Sequence, residues 1–107
     1  MDEKAKARLE MQIIEQLKGV FDPEIPVNIY DLGLIYNIEI LEDRINVDMT
    51  LTSPTCPVSD SIVAQVQYRI GLIPNAPKKI YVNLVWEPMW HKDMISDAGK
   101  LELGIFD

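Results

Sequence analysis

From Leu34 to Leu51 the hydrophobic period of the chain is two, and no other stretch constrains the fold as much. Tyr36, Ile38 and Ile40 alternate with Asn37 and Glu39 across Leu34–Leu41. After Glu42 and Asp43 the alternation resumes, with Ile45, Val47, Met49 and Leu51 on one side and Asn46, Asp48 and Thr50 on the other. Successive side chains of a strand point to opposite faces, so each run reads as a half-buried strand. A link this short predicts an antiparallel hairpin. The link carries no Asn-Gly, which leaves its turn type open.

The flanking segments have helical periodicity. Leu9, Ile13, Ile14 and Leu17 share one face of a helix expected over Glu3–Lys18, and Gly19 is the expected stop, since glycine accepts left-handed backbone angles. The segment Phe21–Gly33 holds two prolines and reads as a shaped loop. Beyond the hairpin, Ile62, Val63, Val66 and Ile70 mark a second amphipathic helix, with Pro57 suited to its first position and Gly71–Pro77 breaking it. Lys79–Trp86 forms a third strand, with Ile80, Val82, Leu84 and Trp86 on one face. Glu87–Trp90 is irregular, and Ser96 caps a short last helix that ends at Gly104. The order α-β-β-α-β-α predicts a two-layer α+β domain over residues 1–107, with a small three-stranded mixed sheet and helices on one face. The pattern does not say which strand is central.

Ten basic against seventeen acidic residues give a formal charge of −7, which repels nucleic acid and anionic lipid alike. No apolar run is long enough to span a membrane, and the first residues lack the apolar core of a secretory signal. A single cysteine cannot form an internal disulfide, so a reducing, cytoplasmic setting is expected. No zinc pattern, phosphate-binding loop, dinucleotide fingerprint or nucleophile elbow is present.

Cys56 is the most informative residue. It follows a strand, precedes a proline and stands at the expected start of a helix, where unpaired N–H groups and the dipole stabilise a thiolate. A thiolate ligates metals, carries a persulfide or attacks; an ordinary free cysteine is a small buried hydrophobe. Thr50 and Thr52 lead up to it and could hydrogen-bond a sulfur or a ligand, or simply be strand filler. Asp22 and Glu24, flanking Pro23, could offer hard oxygen ligands or be solvated loop charges, and Asp31 invites the same two readings. His91, the only histidine, has no metal-ligand spacing around it and suits a surface or helix-start role. Trp86, Met89 and Trp90 form an apolar cluster best explained by core packing, with Trp90, in a loop, also a candidate partner contact.

Three ordered blocks then resemble one family. Asp22-Pro23-Glu24-Ile25-Pro26-Val27-Asn28-Ile29-Tyr30-Asp31-Leu32-Gly33-Leu34-Ile35-Tyr36 is similar to the opening signature of the SufT-like, MIP-type iron–sulfur assembly proteins. Met49-Thr50-Leu51-Thr52-Ser53-Pro54-Thr55-Cys56-Pro57 resembles their cysteine motif. Val85-Trp86-Glu87-Pro88-Met89-Trp90, Ile95-Ser96 and Lys100–Gly104 resemble their C-terminal signature. Thr55 departs from a common glycine, Met89 from a common proline, and Gly99 from an expected helix former.

The resemblance implies an iron–sulfur assembly domain fold and a non-enzymatic role in maturing iron–sulfur proteins. Cys56 would be the functional thiol and transient metal ligand, and Asp22, Glu24, Thr50 and Thr52 a supporting site. A cluster usually takes about four cysteine ligands, so one thiol implies no permanent cofactor but a labile cluster, or iron, held briefly. Two chains could bridge such a cluster as a homodimer. The expected partners are client apoproteins and other assembly proteins, with no nucleic acid and no membrane. A metal-free adaptor and a small cysteine-dependent enzyme are the alternatives, the latter disfavoured because no base accompanies Cys56.

Overall fold

A computed structural model describes residues 2–22, 25–52 and 59–104. The elements follow the order α1 (Glu3–Leu17), β1 (Ile35–Ile40), β2 (Arg44–Met49), α2 (Ser59–Gly71), β3 (Lys79–Leu84), a short 3-10 turn (Lys92–Met94) and α3 (Asp97–Leu103). This is the expected α+β arrangement with a three-stranded mixed sheet. No described helix is long and apolar enough to cross a membrane.

The sheet order is β1-β2-β3, so β2 is the central strand. It pairs antiparallel with β1, Ile40 facing Ile45, and parallel with β3, Val47 facing Val82. The hairpin turns through Glu42 and Asp43, closed by Leu41 N–H donating to the Arg44 carbonyl at 2.8 Å. Neither turn residue has a positive φ, so this is not the Asn-Gly type of turn. Ile45, Val47 and Met49 are wholly buried beneath the helices. The opposite sheet face is polar, and cross-strand partners hydrogen-bond there: Asn46 to Glu39 at 2.9 Å and Asn83 to Asp48 at 3.2 Å.

Helix α1 begins at Asp2, whose carboxylate accepts from Ala5 N–H at 2.7 Å, and it buries Leu9, Ile13 and Leu17. It packs on α2 and on β1, while α2 packs on β3. Ile62, Val66 and Ile70 complete the core from α2. Gly19 stops α1 without a left-handed φ; its carbonyl accepts from the Arg69 guanidinium of α2 at 3.2 Å. The loop between α1 and β1 supplies a further share of core, burying Val20, Val27, Ile29, Leu32 and Leu34. Each such side chain stabilises by about 1.5–3 kcal/mol, so this irregular segment contributes on the scale of a helix.

Two expectations about faces change. The alternation puts Thr50 on the polar side of the second strand, but β2 ends at Met49 and Thr50 is buried beside a buried Leu51. Its N–H donates to the Leu34 carbonyl at 2.8 Å, one step beyond the Ile35–Met49 pair, so the backbone is still tied to its neighbouring strand while the polar face gives way to core at this end. Trp86 and Met89 are exposed rather than packed in the core, because β3 ends at Leu84 and the chain leaves the sheet before reaching them.

Candidate functional site

Parallel strands leave polar backbone and side-chain groups at their carboxyl ends, and ligand sites form there. Thr50 stands at that end of β2. The residue before it, Met49, accepts from Val85 N–H at 2.8 Å, just past β3, and Thr50 itself is tied to Leu34, just before β1. Thr50 is therefore held where all three strands converge. Its side chain is 1% exposed, and its Oγ1 has no hydrogen-bond partner among the described residues. A buried hydroxyl in that state costs about 1–3 kcal/mol, a cost that a bound ligand or a sulfur would remove. Thr52 follows, half-buried, in a bend.

Asp22 is the other buried polar side chain among the described residues, 4% exposed. Its Oδ1 accepts from Ile25 N–H at 3.2 Å. The loop is pinned at its base by the Phe21–Asn28 bridge and by Ile29 N–H donating to the Val20 carbonyl at 2.8 Å. Two of the candidate acids and threonines, Asp22 and Thr50, are thus the pair of polar side chains that the described fold buries. Glu24 and Cys56, with Thr55 and Pro57 beside it, lie outside the described residues. Among the described residues, no three His, Cys, Asp or Glu side chains group to hold a metal.

Asp31 is occupied by structure. Its carboxylate accepts from Asn28 Nδ2 and from Ser96 Oγ, both at 2.8 Å, while its own N–H donates to Asn28 Oδ1 at 2.8 Å. Its carbonyl accepts from Ser96 N–H at 2.7 Å. Ser96 also caps α3 as expected, accepting from Gly99 N–H at 3.1 Å, and the helix ends at a left-handed Gly104. Gly99 has a physical reason. A Cβ there would lie 2.8 Å from Ile95 Cγ2 and 3.1 Å from the Asp31 carbonyl, so only glycine lets α3 come this close to the loop. Gly33 serves the same closure with φ +82°, where a Cβ would run into the Met94 carbonyl.

The segment between β3 and α3 is held by two long side chains. The Trp90 indole N–H donates to the Leu32 carbonyl at 2.7 Å, and its ring packs against the core. The Tyr36 hydroxyl donates to the Pro88 carbonyl at 2.7 Å and lies 3.6 Å from Met94 Sδ. Burial raises the Tyr36 pKa above its usual 10.0, so the hydroxyl remains a donor throughout the physiological range. Tyr36 sits at an irregularity in the β1 register between Ile35 and Asn37, which aims it at this segment. His91 lies exposed with Asp93 Oδ2 3.8 Å from its Nδ1, a surface contact of little energetic weight. Sequence reasoning missed the Asn28–Asp31–Ser96 set; the Asn-x-x-Asp spacing, typical of a side-chain cap, was its one signal.

Comparison with known proteins places these features in a wider group. Residues 10–80 match a family described as iron–sulfur cluster assembly protein. An Fe-S protein maturation auxiliary factor of Porphyromonas gingivalis is 46% identical over 96 residues, 89% of this chain and 90% of that protein. The maturation auxiliary factor SufT of Staphylococcus aureus is 41% identical over 87 residues, 80% of this chain and 98% of its own length. The crystal structure of a domain of unknown function from Bacillus anthracis superposes with a TM-score of 0.88 at 33% identity, covering 98% of this chain and 100% of that one.

Proposed function

Because the chain belongs to the iron–sulfur cluster assembly protein family, we propose that it is an iron–sulfur protein maturation factor that hands a cluster, or iron or sulfide, to client apoproteins through Cys56. The observation that carries this reading is Thr50: a fully buried hydroxyl at the convergence of the strands, without a partner among the described residues, and six positions before Cys56 in the sequence. In this reading Thr50 donates to a sulfide of a cluster held through iron at Cys56, with Thr52 beside it, and Asp22 and Glu24 supply carboxylate oxygens. The cluster is cargo. One cysteine offers too few bonds to keep it, and the missing ligands come from a second chain, a small thiol or the client, so that transfer is an exchange of ligands without net redox change. The protein acts in the cytoplasm as a single domain, its partners being client apoproteins and other assembly proteins, and no enzymatic step is needed.

The test is complementation. In a strain lacking the protein, the activity of an aconitase-type iron–sulfur enzyme is measured after restoring wild type or Cys56→Ser. Rescue by wild type alone supports transfer through the thiol. Equal rescue by both overturns it and leaves the metal-free adaptor, a reading supported by the exposed Trp86 and Met89.

A further inference from the structure

A cleft of about 680 Å3 separates the α1–β1 loop from α3, within the size range of ligand clefts. Its walls are mixed, the apolar part coming from Phe21 and Val27 of the loop and Ala98 and Leu101 of the helix. Phe21 and Leu101 remain 54% and 68% exposed, two large apolar side chains facing solvent on either side of one groove. The charged residues that line it are both acids, Asp31 and Glu102, and no Lys or Arg is among the described lining residues.

The charge pattern follows from helix geometry. At 3.6 residues per turn, Ala98, Leu101 and Glu102 fall on one face of α3, and Lys100, the helix's one basic residue, falls roughly half a turn from Ala98 and Glu102. The carboxylate of Asp31 is fixed by Asn28 and Ser96, so the charge on the loop wall is rigidly placed. The groove is built rather than accidental, since the closeness of the walls depends on Gly99.

We propose that this cleft is a docking site for a partner protein segment that carries an apolar side chain next to Lys or Arg. The apolar part of the walls takes the first, and Asp31 and Glu102 select the second. A chain of formal charge −7 favours such a partner at long range as well. Phe21 in the cleft wall directly precedes the buried Asp22, so a docked segment lies against the loop that carries the candidate site. This deepens the maturation reading by naming how a client or assembly partner is held. It requires no cluster and no thiol.

The test uses the whole protein and a labelled synthetic peptide, Gly-Ser-Leu-Lys-Arg-Leu-Lys-Ser-Gly, against a counterpart with each basic residue replaced by Glu. Fluorescence anisotropy measures affinity, and amide chemical shifts locate the contact. The basic peptide is expected to bind about tenfold more tightly than the acidic one, with shifts at Val27, Ala98 and Leu101. Glu102→Lys, at an exposed position, should lose about that tenfold preference while its thermal melt is unchanged. Leu101→Asp should abolish binding. Equal affinity for both peptides, no binding of either, or shifts elsewhere would overturn the proposal. So would a concentration-dependent dimer that Leu101→Asp abolishes, which would assign the cleft to a second copy of the chain. Cys56→Ser should bind the peptide like wild type, so failure here and failure of the transfer reading are separable.

Discussion

In β2, Ile45, Val47 and Met49 are wholly buried with no side-chain hydrogen bond to hold them. In the loop that follows α1, Asp31 and Leu32 are tied by named polar atoms to Ser96 and Trp90, more than fifty residues away. The first region is held by a non-directional force that rewards apolar volume of about the right size. The second is held by directional contacts and by close approach at Gly33 and Gly99. It also carries Asp22, is tied to the end of β2 at Thr50, and lines the acidic cleft. A site needs fixed geometry, and directional contacts supply it where burial alone does not.

The contrast can be tested by mutation. Ile45→Ala should cost the most, about 4 kcal/mol by denaturant unfolding, because a cavity opens under the central strand. Yet Ile45→Val should cost only about 1 kcal/mol, since the sheet half tolerates the loss of one carbon. Gly33→Ala adds one carbon to the loop half and should cost about 3 kcal/mol, from the positive φ and the collision with the Met94 carbonyl. If Gly33→Ala proves no worse than Ile45→Val, the distinction between the halves fails.

Ser96→Ala removes both the α3 cap and the hydroxyl that Asp31 accepts, for about 1–2 kcal/mol. A double-mutant cycle with Asp31→Ala should show coupling, whereas Ser96 with Ile45 should be additive. Thr50→Val should change stability least, leaving it unchanged or raising it by up to about 1 kcal/mol, because an unsatisfied buried hydroxyl is replaced by a methyl. The same variant should lower client enzyme activity in the complementation assay. A Thr50→Val protein that is clearly destabilised would mean that the hydroxyl serves the fold.

Much of the sheet half was legible because burial of one face writes a period into the chain. Ile45, Val47 and Met49 recur every second residue, and Leu9, Ile13 and Leu17 every fourth. Local caps were legible too, as at Ser96 and Gly104, where the cap and the helix it ends are neighbours. What a period cannot encode is the identity of a partner. It announces a strand without saying that β2 is flanked on both sides, and it assigned Thr50 to the polar side although that side is buried at the end of the strand. The Asp31–Ser96 contact spans 65 residues and repeats nowhere, so no window of sequence contains it. Gly99 looked like a flaw in a helix because its reason, the Asp31 carbonyl, lies on another segment. Of the candidate site, Asp22 and Thr50 were named by their motif, and their burial is what the structure adds.

The central position of β2 also orders events in time. Its antiparallel neighbour is reached by closing a turn of about four residues, but Asp48 meets Asn83 only across 35 residues. Loop-closure entropy makes the second pairing costlier by about 2 kcal/mol before any contact repays it. The hairpin can therefore form while α2 is still unmade, leaving one edge of β2 open until β3 arrives. During synthesis that edge is an open pairing surface, and Arg44 at the start of β2 and Asp48 near its end are the charges on that strand.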